Sequence, residues 1–367
     1  MQRRKNEPIS VACFITPHGF GHTTRACAVM AAMHQREPRC RFHIFGDVPE
    51  DLLRDSLGPI FTFHRMRTDV GLVQKTLLCE DVDASVEALD AFYPPSVVMV
   101  EDLADQLARM QCRLVLCDIA PLGIRAADVA GIPSILVENF TWDWIYEGYA
   151  EHAPGIAAHA PYLKELFSQA SLHLRAAPLC NPGDGDATLA PISRAPRQTP
   201  ETVRASLGIS ADARMVLFNL GRDDAQAALD NWPEGCDDVR LVVPTPDPTL
   251  AMGDRVVCVA TQGGPYQPDL VQACDGVVAK LGYSTVAEVY HAGVPMAYMT
   301  RSTFRESDVL EAFVQKHIPN VWLGVDAFAA EAWRTALPAL LSLTRVRRQT
   351  ENGASVAAGL ILERLRA

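Results

Sequence analysis

The chain has 367 residues, of which 49% are hydrophobic and 21% are charged, and its formal net charge is −11. This length and composition are typical of a soluble globular protein with two domains, whose cores are large enough to fold without disulfide bonds. The acidic balance excludes a nucleic-acid-binding protein, because the surface that faces phosphates is basic in that class.

No apolar stretch approaches the ~18 residues that a membrane-spanning helix needs. We also find no secretion signal, which would have a charged region, an apolar region and a small-residue cleavage site in that order. The ten cysteines are scattered without a C-x-x-C pair, and several lie within apolar runs. We therefore expect a cytoplasmic protein with no transmembrane segment. Its cysteines are expected to be reduced core thiols and not zinc ligands or disulfides.

The first half of the chain alternates short apolar runs with longer helical patterns. We predict strands over Ile9–Ile15, Arg41–Phe45, Arg113–Cys117 and Ser134–Glu138. We predict helices over Thr23–Gln35, Pro49–Leu57, Asp81–Pro94, Ser96–Met110 and Leu122–Ala130. Strands that alternate with helices in this way predict right-handed β-α-β units on a parallel sheet.

Prolines and glycines cluster between Ala176 and Pro200, and we predict a linker over residues 178–212. The alternation then restarts, with strands predicted at Met215–Leu220, Arg240–Val243, Val256–Val259, Gly276–Lys280 and Met296–Met299. Helices are predicted at Ser284–His291, Ser307–His317, Ala327–Leu341 and Gly353–Arg366. The sequence therefore predicts an α/β protein with two Rossmann-like doubly wound parallel-sheet domains, residues 1–177 and 213–352, that face each other across a cleft.

The turn after the first strand reads Gly19-Phe20-Gly21-His22 and leads into a predicted helix. Its glycines allow close backbone approach, and the free N–H groups of a helix start suit an anion. His22 stands where a neutral imidazole can take a proton from a hydroxyl group. Capping of the helix by His22, or a hydrogen bond to the backbone, is an equally good interpretation. His18 is a second candidate of the same kind.

Asp118 follows a predicted buried strand, at the carboxyl edge of the same sheet. A carboxylate at that edge can accept the N–H of an imidazole, which orients the ring and stabilises its charged form. The alternative is that Asp118 caps the helix at Leu122–Ala130, where Pro121 fits the first position.

Aromatic and acidic residues concentrate after the strand Ser134–Glu138, although only 7% of the chain is aromatic. Aromatic faces with a few carboxylates suit a sugar or another polyol. Glu138, Trp142 and Asp143 are the candidates for that contact. Trp144 and Tyr146 fit the interior of the domain equally well.

In the second half, Gly282 follows a strand, and Ser284 and Thr285 begin a helix whose start can face a diphosphate. Glu288 lies about one turn into that helix, where it can bind the two hydroxyl groups of a ribose. A capping box is the alternative, since Thr285 and Glu288 have the spacing S/T-x-x-E.

Two further loops follow strands of the second half. Gly221 permits backbone approach to a phosphate, and Arg222 can neutralise it, although a solvated arginine explains the same residue. In the loop after the strand Met296–Met299, Arg305 can contact phosphate and Glu306 can hold donor hydroxyl groups. That loop is equally well explained as a solvated charge run.

The sequence resembles the GT-B glycosyltransferases in three features. These are two α/β domains, a glycine–histidine turn after the first strand and a Gly–Ser/Thr–Glu element late in the second domain. The local sequence is most similar to the glycosyltransferase-like N-terminal half of plant L-arabinokinases, in residues 19–25, 139–143 and 280–288. The kinase half of those proteins is absent here, so no sugar-kinase activity is expected.

Resemblance to MurG-like enzymes and UDP-glycosyltransferases implies roles for individual residues. His22 corresponds to the general base and Asp118 to the acid that orients it. The residues that correspond to the donor site are Gly221, Gly282, Ser284, Thr285 and Glu288. The helix Gly353–Arg366 corresponds to a segment that crosses back to the first domain.

The chain is therefore predicted to be an inverting, metal-independent glycosyltransferase that moves a sugar from a nucleotide diphosphate sugar, expected to be UDP-linked, to an acceptor hydroxyl. It needs no cofactor, because the nucleotide sugar is a substrate, and it is expected to be a monomer or a homodimer. The full predicted donor set is Gly221, Arg222, Gly282, Tyr283, Ser284, Thr285, Glu288, Arg305 and Glu306. The predicted acceptor set is His18, Gly21, Glu138, Trp142 and Asp143. The alternatives are a regulatory protein that binds a nucleotide sugar without transfer, and a sugar-nucleotide 2-epimerase of the same fold.

Overall fold

The computed structural model of the protein describes residues 7–75, 80–181, 183, 185–249, 252–301, 304–346 and 348–366. Cys79, residues 182 and 184 of the predicted linker, and Ser302 and Thr303 in the loop before Arg305 lie outside this part of the chain. The chain divides into two compact units, Met1–Ser193 with Glu351–Ala367, and Arg194–Thr350.

The first unit alternates strands and helices along the chain. Its strands are β1 (Ile9–Ile15), β2 (Cys40–Gly46), β3 (Phe61–Arg65), β4 (Val115–Asp118), β5 (Ser134–Glu138), β6 (Leu172–Ala176) and β7 (Ala187–Leu189). Its helices are α1 (Phe20–Arg36), α2 (Glu50–Leu57), α3 (Val82–Phe92), α4 (Val97–Arg109), α5 (Pro121–Ala130), α6 (Trp142–Glu147), α7 (Pro154–Ala157), α8 (Ala160–Ser168) and, at the end of the chain, α15 (Gly353–Arg366).

The seven strands of the first unit form one parallel sheet in the order β3-β2-β1-β4-β5-β6-β7. The strand order reverses direction between β1 and β4, where Ile15 pairs with Asp118. Such a reversal leaves a crevice at the carboxyl ends of the two strands, which is where open α/β sheets bind ligands. The residues after β1 and β4 are therefore placed together by the topology.

The core of the first unit lies on both faces of its sheet, which explains why the central strands read as continuous apolar runs. Phe14 on β1 is fully buried and stacks on Phe45 of β2, with ring centroids 4.6 Å apart. Helix α5 packs closely against this pair at Gly123, which has no side chain. A Cβ atom there would lie 2.6 Å from Cγ of Phe14.

The second unit repeats the same plan. Its strands are β8 (Arg214–Asn219), β9 (Val239–Thr245), β10 (Val256–Ala260), β11 (Gly276–Lys280), β12 (Met296–Thr300) and β13 (Asn320–Val325). Its helices are α9 (Pro200–Ser206), α10 (Arg222–Asp230), α11 (Gln267–Ala273), α12 (Tyr283–Ala292), α13 (Glu306–His317) and α14 (Trp333–Ser342).

Its six strands form a parallel sheet in the order β10-β9-β8-β11-β12-β13, with the reversal between β8 and β11. Successive side chains of β11 point to opposite faces, so Val277 and Ala279 join one core cluster while Val278 joins the other. The prediction of two doubly wound parallel-sheet domains is confirmed.

The predicted elements are present, and the structure adds elements that the sequence pattern did not reveal. Four strands were missed, and three of them, β3, β7 and β13, lie at sheet edges, where exposure on one side weakens the apolar pattern. Helix α14 begins at Trp333, later than the predicted helix Ala327–Leu341. Helix α1 begins at Phe20, earlier than Thr23, because Gly19 is its N-cap residue.

The predicted linker over residues 178–212 is not a separate connector. Its first part contains β7, which pairs with β6, and its second part contains α9, whose Val203 is buried in a core cluster of the second unit. Prolines mark this region because extended segments and helix starts both tolerate them, and Pro200 is the first residue of α9.

The C-terminal helix α15 belongs to the first unit and packs against α1. A Cβ atom on Gly353 would lie 2.1 Å from the carbonyl oxygen of Ala190, so only glycine fits at the start of this helix. Arg113 donates a 2.6 Å hydrogen bond to the carbonyl of Leu365 and fixes its end.

Among the described residues, no helix is both long and apolar enough to cross a membrane. The nine described cysteines form no disulfide, and all of them except Cys258 are buried. Burial raises the pKa of the thiols of Cys13 and Cys117, which keeps them protonated.

Candidate active site

His22 is the third residue of α1 and faces the carboxyl end of β4. Its Nδ1 atom lies 2.9 Å from Oδ1 of Asp118. Its ring is mostly buried and stands edge-on to Phe140, with centroids 5.5 Å apart. The N-cap residue of α1 is Gly19, at φ 80°, whereas His22 lies inside the helix with its Nδ1 atom bonded to Asp118. The alternative interpretation of His22 as a helix cap is therefore wrong.

Asp118 is buried and is bonded from two sides. Besides the imidazole of His22, Arg25 donates from Nε to Oδ2 at 2.8 Å and from an Nη atom to Oδ1 at 2.6 Å. Burial by itself raises the pKa of Asp118, but the guanidinium of Arg25 and the hydrogen bonds outweigh it and hold the pKa below its ordinary value. The N-cap residue of α5 is Ala120, so Asp118 is not the cap of that helix.

The backbone after Asp118 is strained. Ile119 has φ 42°, in the left-handed region that β-branched residues rarely adopt, and it is fully buried. It forms an isolated bridge with Ile15 at the end of β1. Strain of this kind persists where the surrounding structure enforces it, and it clusters at functional sites.

Sequence reasoning missed Arg25, which is the third member of this cluster. Only 1% of the residue is exposed, and besides Asp118 it bonds Oδ1 of Asn139. The spacing of three residues between His22 and Arg25 is the signal that could have found it, since it places both side chains on one face of a helix.

The ionised Asp118 decides the tautomer of His22. A carboxylate only accepts hydrogen bonds, so we assign the imidazole hydrogen to Nδ1, which leaves Nε2 with a free lone pair. Arg25 lies 3.0 Å from the same Nδ1 atom, but in this tautomer its guanidinium donates to the two oxygens of Asp118 and contributes to Nδ1 only a positive charge beside the ring. In this tautomer Nε2 is the ring atom that can accept a proton.

A second buried carboxyl group, Asp69, lies after β3 and was also missed by sequence reasoning. It accepts hydrogen bonds from Oγ1 of Thr16 at 2.8 Å and from the indole of Trp142 at 3.1 Å. Burial is the main cause that raises the pKa of Asp69 to about 7. Through Trp142, Asp69 fixes an aromatic row, because that indole packs edge-on against both His18 and Phe140.

The structure buries most of the predicted acceptor residues. Trp142 is fully buried and stacks on Tyr146, so it does not present the exposed aromatic face expected from the sequence. Glu138 is buried and accepts a 2.8 Å hydrogen bond from His173. Asp143 is also buried, which raises its pKa.

Two predicted acceptor residues are more accessible. His18 is half-buried beside Gly71, where a Cβ atom would lie 3.0 Å from its ring. Gly21 is the second residue of α1, and its carbonyl accepts a 2.9 Å hydrogen bond from Thr24. Its backbone is helical, so the conformational freedom of glycine is required at Gly19 and not at Gly21.

In the second unit, the start of α12 is open. Gly282 is the N-cap residue, it has extended backbone at φ −160°, and nothing lies within 4 Å of the position of a Cβ atom there. Gly282 provides no side-chain cap, and the first N–H groups of an α-helix have no acceptor within the helix. The side chain of Tyr283 is buried, whereas Ser284 and Thr285 are half-buried.

Glu288 does not form the alternative capping box, because Thr285 lies inside α12 and not at its cap. Its carboxylate is buried and accepts hydrogen bonds from Arg194 at 3.1 and 3.3 Å. Burial raises the pKa of Glu288, and the guanidinium of Arg194 opposes that rise. Arg194 itself lies over the ring of Tyr266, 4.9 Å from its centroid.

The remaining predicted donor residues lie at two helix starts of the second unit. Gly221 is the N-cap residue of α10 at φ 125°, a conformation that requires glycine, and Arg222 beside it is exposed. Arg305 precedes α13 and is exposed, whereas Glu306 is buried. Among the described residues, no group of three or more His, Cys, Asp or Glu side chains could hold a metal ion.

No family model matches the chain. The L-arabinokinase of Arabidopsis thaliana is 27% identical over 96% of this chain, and the chain spans about a third (34%) of the length of that relative. The glycosyltransferase UGT71G1 of Medicago truncatula, in complex with UDP-glucose, superposes with a TM-score of 0.65 at 11% identity, over 99% of both chains. The calicheamicin glycosyltransferase CalG4 superposes with a TM-score of 0.67 at 14% identity, over 100% of this chain and 99% of that one.

The chain has the GT-B fold. The predicted resemblance to GT-B glycosyltransferases and to L-arabinokinase is confirmed. The fold also occurs in a putative UDP-N-acetylglucosamine 2-epimerase from Listeria monocytogenes, with a TM-score of 0.59 at 13% identity, over 98% of this chain and 96% of that one. In this GT-B protein, His22 and Asp118 lie where the strand order of the first sheet reverses, and Gly221 and Gly282 lie at the corresponding reversal of the second.

Proposed function

We propose that this protein is an inverting glycosyltransferase that moves a sugar from a nucleotide diphosphate sugar to an acceptor hydroxyl group, without a metal ion. In this proposal the second unit binds the donor and the first unit binds the acceptor and supplies the catalytic base. UDP is the proposed nucleotide, because a UDP-glucose complex is among the structures with this fold.

The observation that carries the proposal is the buried pair of His22 and Asp118, with a distance of 2.9 Å between Nδ1 and Oδ1. Burying a charged carboxylate costs free energy, and a hydrophobic pair would fill a core at least as well. A carboxylate that orients an imidazole supplies a general base, which contributes ~10²–10⁴-fold to a rate. The position of the pair at the carboxyl edge of the sheet supports a role in binding and chemistry.

In the proposed reaction, the acceptor oxygen attacks the anomeric carbon of the donor while its proton passes to Nε2 of His22. The bond between the anomeric carbon and the diphosphate oxygen breaks, and the diphosphate leaves with the electron pair. Attack from the face opposite the leaving group inverts the anomeric configuration. Asp118 then stabilises the imidazolium ion that has formed.

The departing diphosphate needs positive charge, which the second unit can supply. The N–H groups at the start of α12 lie beside the open space at Gly282. Arg222 and Arg305 are exposed cations at neighbouring helix starts. Fixed donors of this kind stabilise the charge of the leaving group.

A panel of nucleotides tests the binding half of the proposal. A ligand that binds only the folded protein raises its melting temperature, so we expect UDP and UDP-sugars to raise it more than uridine does. Slow hydrolysis of the bound UDP-sugar is expected as well, since water can replace the acceptor. Binding without hydrolysis or transfer would favour the regulatory alternative, and a sugar product with altered configuration at C2 would favour the epimerase.

The variant His22→Ala tests the catalytic half. We expect turnover to fall by at least ~10²-fold, because the general base is lost, while the affinity for UDP changes less than about twofold. His34→Ala is the matched control, since His34 lies on the same helix and bonds only the carbonyl of Cys40. Loss of UDP affinity with unchanged turnover per bound complex would contradict the role of His22.

A further inference from the structure

Asp69 is a buried carboxyl group that the proposed reaction does not use. It is completely buried, and each of its oxygens accepts one hydrogen bond. Thr16 donates from Oγ1 to Oδ1 at 2.8 Å, and the indole of Trp142 donates to Oδ2 at 3.1 Å. A carboxyl group in the interior costs free energy, and an apolar side chain would fill the same space without that cost. The two bonds are therefore the feature to explain.

The loop that carries Asp69 connects distant parts of the first sheet. It follows the edge strand β3 and reaches the end of β1, which lies two strands away. Thr68 donates from Oγ1 to the carbonyl oxygen of Ile15, the last residue of β1, at 2.7 Å. The carbonyl oxygen of Gly71 accepts a 2.8 Å hydrogen bond from the hydroxyl group of Tyr146 on α6. The loop therefore ties the end of β1 to α6, with Asp69 between the two ties.

Thr16 connects Asp69 to Asp118. It directly follows β1, and its backbone N–H donates to the carbonyl oxygen of Asp118 at 3.3 Å. Its side chain donates to Asp69, so both ends of Thr16 are held. The backbone of Asp118 is thus one residue away from the carboxyl group of Asp69.

Trp142 connects Asp69 to His22 through a row of aromatic rings. The indole packs edge-on against Phe140, with ring centroids 5.4 Å apart, and Phe140 stands edge-on to His22 at 5.5 Å. Edge-to-face contacts at these distances are the favoured geometry of aromatic pairs. The hydrogen bond from the indole to Asp69 fixes the far end of this row.

We propose that Asp69 is a positioning residue for the proposed general base. Its carboxyl group holds Thr16 and Trp142, and these two hold the backbone of Asp118 and the ring of His22. The role rests on the proposed function, because a proton transfer to Nε2 of His22 makes the rate depend on where that ring points. Support of this kind from buried neighbours keeps a reacting group in its productive geometry.

Two variants of Asp69 separate its hydrogen bonds from the space it fills. Asp69→Asn keeps the shape of the neutral acid, and its amide can accept from the indole and donate to Oγ1 of Thr16. Asp69→Leu has the same branching and forms neither bond. Trp142→Phe keeps an aromatic ring and removes only the indole donor, so it keeps the test valid if Asp69→Leu fails to fold.

Tyr146→Phe is the matched control. It removes the hydrogen bond to Gly71 in the same loop and leaves both bonds of Asp69 in place. The kcat and KM for hydrolysis of UDP-glucose and the Kd for UDP are measured for each variant at a temperature where it is folded.

We expect Asp69→Leu to lower kcat by at least about tenfold, because a displacement of ~1 Å in a reacting group costs up to ~10²-fold. Trp142→Phe, which loses one bond of the two, should lower kcat by about threefold or more. Asp69→Asn and Tyr146→Phe should stay within about twofold of the wild type. The KM for UDP-glucose and the Kd for UDP should change less than about twofold in every variant, because in the proposed function the second unit binds both.

Nuclear magnetic resonance adds a readout that needs no activity. In protein labelled with ¹⁵N-histidine, the signals of His22 are identified by their loss in His22→Ala. The nitrogen signals report which ring atom carries the hydrogen, and the ring protons report the distance to Phe140. We expect these signals to move in Asp69→Leu and to match the wild type in Asp69→Asn.

A folded Asp69→Leu with the kcat and the His22 signals of the wild type would overturn the positioning role and leave the proposed function standing. Equal losses of kcat in Asp69→Leu and Tyr146→Phe would also overturn it, since loop packing would then explain both. If the protein neither binds UDP nor hydrolyses UDP-glucose, the proposed function is contradicted. His22 signals that move in Asp69→Leu and return in Asp69→Asn would still support the positioning of the ring.

Discussion

The buried ion pair of Arg25 and Asp118 provides a test of how the first unit holds His22, the proposed general base. We consider Asp118→Asn, Arg25→Met and the double variant as a thermodynamic cycle. Each single change leaves one charge in the interior, because the two residues are only 1% and 2% exposed. The double change removes both charges together.

The expected magnitude follows from the geometry. Removing one partner of a buried pair costs about 3–5 kcal/mol, mainly because the other charge stays desolvated. Two charges about 4 Å apart attract each other by about 4 kcal/mol at an effective dielectric constant of ~20. We therefore expect each single variant to lose about 3–5 kcal/mol and the double variant to lose about as much as one single variant.

The free energy of unfolding is measured by urea denaturation at pH 7, with unchanged m-values as the condition for comparison. The control pair is Arg125 and Asp128, whose hydrogen bond is equally short at 2.6 Å but whose side chains are 45% and 58% exposed. Exposed pairs contribute at most about 1 kcal/mol, so Arg125→Met should have little effect.

Activity separates the role of each residue in the chemistry from its role in stability. In Asp118→Asn the amide can donate to Nδ1 of His22, which favours the hydrogen on Nε2 and removes the base. Arg25→Met keeps the carboxylate that sets the tautomer. We expect transferase or hydrolase activity to fall at least ~10²-fold in Asp118→Asn and much less in Arg25→Met, although both lose similar stability.

Additive losses of stability, within about 0.5 kcal/mol, would refute the reasoning, since independent sites add and coupled charges do not. Equal losses of activity in the two single variants would refute the assigned tautomer.

Two further predictions concern Asp69 and Gly282. The pKa of Asp69 rises from 3.8 to about 7 on folding, so the folded protein keeps a proton that the unfolded chain releases. The free energy of unfolding therefore falls by about 3 kcal/mol from this group as the pH rises from 4 to 7. Asp69→Asn should abolish that fall, as measured by urea denaturation across this pH range, and parallel pH profiles for variant and wild type would contradict it. Gly282→Ala should change stability by less than about 1 kcal/mol, because nothing lies within 4 Å of the added Cβ atom, yet weaken UDP binding about tenfold or more by filling the space at the helix start. Gly353→Ala is the control, because its added Cβ atom would lie 2.1 Å from the carbonyl oxygen of Ala190. We expect it to lower the free energy of unfolding by about 1–3 kcal/mol without a change in UDP affinity. Unaltered UDP binding in Gly282→Ala would remove Gly282 from the donor site.

The pair of His22 and Asp118 was predictable because each member has a local signature. His22 follows a strand and two glycines, and Asp118 ends an apolar run, so the topology of a parallel sheet suffices to bring them together. The burial of Trp142 was not predictable, since an aromatic cluster reads the same in a core as at a sugar site. The complete burial of Trp142 and the hydrogen bond from its indole to Asp69 show that it belongs to the core.

The sequence by itself determined the local properties of the chain. These are the alternation of strands and helices, the glycine turns and the places where charged residues follow strands. The tertiary structure decided which of those residues touch. Arg25 and Asp118 are 93 positions apart, and Thr16 and Asp69 are 53 apart, so no sequence spacing relates them. Whether a carboxyl group is ionised also depends on the charges and the solvent that folding places around it. Asp118 at the end of β4 and Asp69 after β3 are both buried, yet their pKa values are moved in opposite directions.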